Sequence, residues 1–237
     1  MKILAIDTSN QSLAVGLMED DQVVGQLQTA VNKNHSVTLM PAIAELMKMV
    51  RWTPQDITRI VVAQGPGSYT GLRIGVTTGK TLADTLSAEL VGVSSLAVIA
   101  ANCRNEDGWI VPLFDARRGN VYAGAYQWQD GKLVNVLPDQ HISLEQLLTK
   151  LTEQKVFFVG TDVVKFAEKI RENLPNAVLN KIPEWNHPSG IVLAELGAAA
   201  QPVPIDSFLP DYLKRVEAEE KWLTSHDPGD EQYVEKI

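Results

Sequence analysis

Asp7-Thr8-Ser9 and Asp115 are the residues of this chain best placed to do chemistry. Each aspartate ends a short apolar run, and a turn and a second run follow each at nearly equal spacing. Two carboxylates facing each other across a cleft between the two halves can hold a metal-phosphate, with Thr8 and Ser9 adding oxygens. Carboxylates at strand ends also satisfy turn backbone, and that plainer role fits the same positions. Two glycine-bearing stretches invite a phosphate reading. Gly65-Pro66-Gly67-Ser68-Tyr69-Thr70-Gly71 follows a strand-like run and opens a helix, the setting of a dinucleotide fingerprint. It does not follow the first strand, however, and the next strand ends in Ser94-Ser95, with no acid for a ribose hydroxyl. An anion at this helix N-terminus stays open. Gly75-Val76-Thr77-Thr78-Gly79-Lys80-Thr81 approaches a P-loop, but Ile74 stands where that motif has its first glycine, and the stretch lies mid-helix. His35, His141, His187 and His226 are scattered, none with a second histidine one helical turn on, so a zinc site is not expected. Ser68 is not in a Gly-x-Ser-x-Gly elbow, and no nucleophile–base pair for peptide cleavage is readable. No cofactor and no metal are expected.

The elements that hold these residues follow from apolar periodicity. Lys2 to Ile6 reads as a buried strand, Ser12 to Met18 as a second and Val23 to Leu27 as a third, a hairpin meander with Asp7 at its first corner. Trp109 to Phe114, Val121 to Gln127 and Lys132 to Val136 repeat that plan around Asp115-Ala116-Arg117-Arg118-Gly119. An internal duplication is the economical reading: an α/β protein of two similar subdomains, 1–104 and 105–237, the last helix able to pack back on the first. Further helices are predicted over Ser143 to Leu151, from Thr161 or Asp162 to about Asn173, over Gly190 to Ala200, and as a polar helix from Val216 to Thr224 before an acidic tail.

Two helices of the first half carry unusual faces. Ser36 to Arg51 is apolar around most of its circumference, where a helix packed on one side needs little more than 100°. Its methionines suit an exchangeable surface. Tyr69 to Ala88 sets Gly71, Gly75 and Gly79 on one ridge with Leu72, Val76, Leu82 and Ala83 beside it. Each mid-helix glycine costs roughly 1 kcal/mol against alanine, so the ridge implies a backbone approaching closely. That backbone belongs either to a partner or to the chain's own sheet. The expected partner surface is Val37, Met40, Ile43, Ala44 and Met47 with Gly71, Leu72, Gly75, Val76, Gly79, Leu82 and Ala83.

At 237 residues and 45% hydrophobic the chain can bury a substantial core. A net charge of −8 disfavours independent nucleic-acid binding. Cys103 is the only cysteine, which excludes an intramolecular disulfide and suits a reducing compartment. The apolar start is too short for a signal-peptide core and Leu90 to Cys103 falls short of a membrane span, so a soluble cytoplasmic protein is expected.

Ile6-Asp7-Thr8-Ser9, Asn34-His35-Ser36 with Leu39 and Pro41, the block from Gly65 to Gly75, Asp115-Ala116-Arg117-Arg118, and Pro210-Asp211-Tyr212-Leu213 through Glu217-Ala218-Glu219 together resemble the bacterial TsaB (YeaZ) family. The likeness spans nearly the whole chain. It implies an actin-like ATPase (ribonuclease-H-like) fold and a non-catalytic dimerisation subunit in synthesis of N6-threonylcarbamoyladenosine on tRNA. It further implies pairing with the catalytic paralogue TsaD through the first two helices, a homodimer through the same surface in isolation, association with the ATPase TsaE, and tRNA met only through the complex. The paralogue carries His-x-x-x-His; here His35 is followed by Leu39, so degenerate metal and nucleotide sites are implied. The competing reading is a stand-alone metal-dependent phosphotransferase or peptidase using Asp7 and Asp115.

Overall fold

The computed structural model describes residues 1–31 and 34–214. The helix expected from Val216 to Thr224 and the acidic tail lie outside the described residues. Strands β1 (Lys2–Asp7), β2 (Leu13–Glu19), β3 (Gln22–Thr29), β4 (Arg59–Gly65) and β5 (Glu89–Ser94) form one sheet in the order β3-β2-β1-β4-β5. Between them run α1 (His35–Met49), before β4, and α2 (Tyr69–Leu86), before β5. α3 (Ser95–Ala101) then leads to the second sheet, β6 (Trp109–Asp115), β7 (Asn120–Gln129), β8 (Lys132–Ser143), β9 (Val156–Val159) and β10 (Val178–Leu179). Its order, β10-β9-β6-β7-β8, repeats the first strand for strand. α4 (Leu144–Lys150) and α5 (Val163–Asn173) occupy the places of α1 and α2, and α6 (Gly190–Ala199) that of α3. This is an α/β protein of two duplicated halves.

β-strand alternation sends neighbouring side chains to opposite faces. Leu4 and Ile6 of β1 join Leu39, Ile43 and Leu46 of α1 and Val76 and Ala83 of α2 in one core layer. Ile3 and Ala5 face the other way, onto Leu193 and Ala194 of α6. In the second half, α4 and α5 cover one face of the sheet. The other face, with Ile110, Phe114, Phe157 and Val159, meets Leu96, Ile99 and Ala100 of α3. Each half thus lends its last helix to the other's sheet. Gly16 lets the α6 backbone touch β2, since any β-carbon there would overlap Gly190. Arg59, buried, donates to the carbonyls of Gly197 and Ala198 at the end of α6 and pairs through Nη2 with Glu89 at 2.7 Å.

α3 was not foreseen, because a seven-residue apolar helix between two halves has no polar face to mark it. The strand starting at Lys132 runs on to Ser143, and the last strand, β10, is only the pair Val178–Leu179.

Beyond α6 the chain returns to the first half as a strap over residues 201–213. Val203 N–H donates to Leu90 O, covering the edge of β5, and Phe208 is buried in the first core. Lys80 Nζ donates to the carbonyls of Asp206 at 3.1 Å and Phe208 at 2.9 Å, and Asp211 N–H to Gln64 O at 2.7 Å.

Cys103 is fully buried past the end of α3, and burial, with Glu106 adding, pushes its thiol up to about 12. The thiolate is the reactive form. Iodoacetamide at neutral pH is therefore expected to leave the folded chain unmodified over hours and to alkylate it once in guanidinium chloride, read by intact mass; rapid native labelling would contradict this packing.

Candidate functional site

The first corner is built by β1 running into the start of α2. Asp7 ends β1 fully buried, its Oδ1 accepting from Ser9 N–H at 2.8 Å, while Oδ2 has no hydrogen-bond partner. Burial raises its carboxyl above the ordinary value; the Ser9 hydrogen bonds and nearby His35 offset this only in part. Thr8 Oγ1 donates to Gly71 O at 2.7 Å, and Ser68 N–H to Ser9 O at 2.7 Å. His35 Nε2 donates to Asn10 O at 2.7 Å, drawing the start of α1 to the same corner.

The glycine block explains how α2 comes so close. A β-carbon at Gly67 would overlap Ser9 O, at Gly71 Thr8 O, at Gly75 Thr8 Oγ1 and at Gly79 a methyl of Val62. The ridge faces β1 and β4 of its own sheet, and this corrects the assignment of Gly71, Gly75 and Gly79 to a partner. Leu72, Val76 and Ala83 are buried with it, Leu82 is half-buried, and Ile43 and Met47 of α1 are also core. A parallel strand and its crossover helix need one helix face for the sheet, and here the small residues are that face. What remains open to solvent is a strip on α1: Val37 at 66% exposure, Met40 at 48%, Pro41, Ala44 and Met49.

The second corner is arranged differently. Asp115 accepts from Arg117 N–H at 2.8 Å and from Lys165 Nζ at 3.1 Å, and its own N–H donates to Asp162 Oδ2 at 2.9 Å. Lys165 also pairs with Asp162 at 2.7 Å. Burial works to raise Asp115, but the Arg117 N–H and Lys165 outweigh it and hold the carboxyl below its ordinary value. Arg117 and Arg118 take left-handed backbone at the turn (φ 67° and 54°) and are exposed.

These residues do not fit a metal-bound phosphate. Asp7 is sealed under the α2 glycines, and Asp115 already has a lysine where a cation would sit. Among the described residues no three His, Cys, Asp or Glu side chains gather as metal ligands. Three contacts were out of reach of the sequence because they join distant segments. Ser12 Oγ meets His187 Nδ1 at 2.8 Å, across 175 residues. Ser94 and Tyr126 both bond Asp139, tying β5 to the second sheet. Tyr69 and Tyr212 stack with ring centroids 4.8 Å apart.

Asp7 gives a test that separates a structural from a catalytic acid. Its carboxyl is raised on folding, so the fold favours the protonated form, and stability is lost as pH rises from the unfolded value through the folded one. Asp7→Asn keeps an acceptor for Ser9 N–H and removes the charge. The variant is expected to be more stable at pH 8, by roughly 1–3 kcal/mol, and so to melt higher. The gain shrinks toward pH 4; a lower melting temperature at pH 8 would refute the account.

A family model described as TsaD, tRNA N6-adenosine threonylcarbamoyltransferase, matches residues 23–222. The chain is 44% identical over 227 residues, 95% of its length and 99% of the relative's, to tRNA threonylcarbamoyladenosine biosynthesis protein TsaB of Bacillus subtilis (strain 168). It is 31% identical over 129 residues, 54% of the chain and 55% of the relative, to the Escherichia coli (strain K12) protein of the same name. Among solved structures, YeaZ from Pseudomonas aeruginosa superposes with TM-score 0.75 at 24% identity, covering 89% of this chain and all of that one. That structure attests the fold alone. The duplicated sheets and the corner where β1 meets α2 define an actin-like α/β protein. Within that class the chain belongs to the TsaB family, inside the broader grouping that the TsaD model describes.

Proposed function

We propose that this chain is a non-catalytic scaffold subunit in the synthesis of N6-threonylcarbamoyladenosine on tRNA, holding and activating a sister subunit of the TsaD type. The observation that carries the reading is the apolar strip Val37, Met40, Pro41 and Ala44, which α1 turns to solvent although the same helix buries Leu39, Ala42, Ile43, Leu46 and Met47 in the core. Solvated helices present charge on that side, and contiguous exposed apolar residues mark an interaction surface. The two acidic corners support the non-catalytic part: one is packed shut and the other is neutralised by Lys165. Residues 1–104 carry the docking helices in this reading and 105–237 brace them. In isolation the strip is covered by a second copy. TsaE joins the complex, and tRNA is met only through the assembly. No helix among the described residues is long and apolar enough to cross a membrane, which accords with work in the cytoplasm.

Reconstitution decides it. Modification of tRNA by TsaD and TsaE is expected to fall to background without this chain, and calorimetry of the chain alone with magnesium and ATP is expected to show no micromolar binding. Full modification in its absence would overturn the proposal.

A further inference from the structure

The strap presents a second apolar surface beside α2. It is pinned by Lys80 on the carbonyls of Asp206 and Phe208, by the buried Phe208 ring, and by Asp211 N–H on Gln64 O. A loop held at three places has little freedom to choose what it shows. Yet between two of those anchors it turns Leu209 outward at 70% exposure. Tyr212 follows at 39%, stacked on Tyr69 at 52%. Arg73, one turn along α2 from Tyr69, is exposed beside them and close enough to Tyr212 to influence its hydroxyl. Leucine exposed singly means nothing, but two tyrosines and an arginine have the composition of an interface hot spot, and Leu209 adds apolar surface beside them. The backbone that carries it is already pinned, so ordering it on binding costs little.

The position favours one occupant. The strap runs back along α2 from Lys80 to Tyr69, about 16 Å of helix at 1.5 Å per residue. α1 touches α2, and Ile74 and Leu82 of α2 pack against the core that the two helices share. Between them α2 shows solvent Thr70, Thr77 and Thr81, short side chains that admit another helix. The start of α1 and the start of α2 meet at one corner through His35 on Asn10 and Ser68 on Ser9. The strap patch and the strip on α1 thus lie on the two sides of α2, whose exposed Thr70, Thr77 and Thr81 run between them. Most of this chain also matches the TsaD family model, so the sister subunit carries counterparts of the same two helices, and like elements can pack side by side about an approximate two-fold axis.

We infer that Leu209, Tyr212, Tyr69 and Arg73 form a second contact with the TsaD-type subunit, so that its helices are gripped between α1 and the strap. The inference rests on the scaffold reading and extends it to the C-terminal segment. Binding of the full-length chain to TsaD, measured by calorimetry, tests it with Leu209→Asp, Tyr212→Ala and Met40→Asp. Leu209→Asp is expected to weaken binding at least tenfold with an unchanged melting temperature, since the side chain touches no core, and Tyr212→Ala to act in the same direction. If both bind TsaD within twofold of the parent while Met40→Asp does not, the inference fails and the scaffold reading stands. If Leu209→Asp weakens binding and Met40→Asp does not, the strap contact stands and the α1 strip is refuted. If Leu209→Asp disturbs only self-association in sedimentation, the occupant is a second copy and the inference is overturned.

Discussion

Gly71→Val is expected to give no soluble folded chain, and Gly71→Ala to lower the melting temperature by several degrees. A β-carbon at Gly71 lands on the carbonyl oxygen of Thr8, which is backbone in a fully buried strand end and has nowhere to go. Overpacking of this kind costs roughly 1–3 kcal/mol or more, against about 1 kcal/mol regained from helix propensity. At this length each kcal/mol shifts the melting temperature by roughly 2–4 °C. Gly79→Ala is the graded comparison, because its β-carbon meets a methyl of Val62, a side chain with some room to adjust. Thr77→Ala on the exposed side of the same helix is expected to be neutral. Had the ridge served a partner, Gly71→Ala would leave the melting temperature intact and harm only pairing. A differential scanning trace that matches the parent would therefore return the ridge to the partner surface.

Met40→Asp carries the second large effect, on association and not on folding. Met40 is 48% exposed at the border of the buried face of α1, so a charge there stays hydrated in the free chain and stability changes by less than about 1 kcal/mol. In a dry helix-to-helix contact the same carboxylate is desolvated without a partner. A central interface residue costs about 2–4 kcal/mol when lost, which is roughly a thirty- to thousandfold weakening of binding to TsaD. Modification in the reconstituted reaction should fall in step and recover at high subunit concentration. Val37→Asp should repeat the result. Wild-type affinity in both variants would sink the strip as a docking surface.

The difference between these two variants marks where sequence reading reached its limit. The duplicated meander, the helices between the strands and the corner aspartates follow from patterns within some fifteen residues, and those are legible. Gly71, Gly75 and Gly79 are equally visible as a ridge, but a ridge says only that something lies close; whether it is Thr8 of the same chain depends on a contact 63 residues away. The wide apolar arc of α1 had the opposite fate. Part of it, Ile43 and Met47, is needed by the sheet, and Val37, Met40, Pro41, Ala44 and Met49 remain unspent. Lys165 beside Asp115 and Tyr212 on Tyr69 are products of tertiary folding, with no local signal in either segment.

The reciprocal loan of α3 and α6 has a consequence for biosynthesis. When the ribosome has delivered the first hundred residues, the strands of the N-terminal sheet are complete, yet Ile3, Ala5, Val61 and Val91 have only Ala97 and Val98 of the short α3 against them until α6 emerges near residue 199. The nascent half must wait, its greasy side mostly bare, for nearly the length of its twin. A recombinant fragment stopping at residue 104 should consequently precipitate or recruit chaperones, and supplying 105–237 as a separate polypeptide should rescue it.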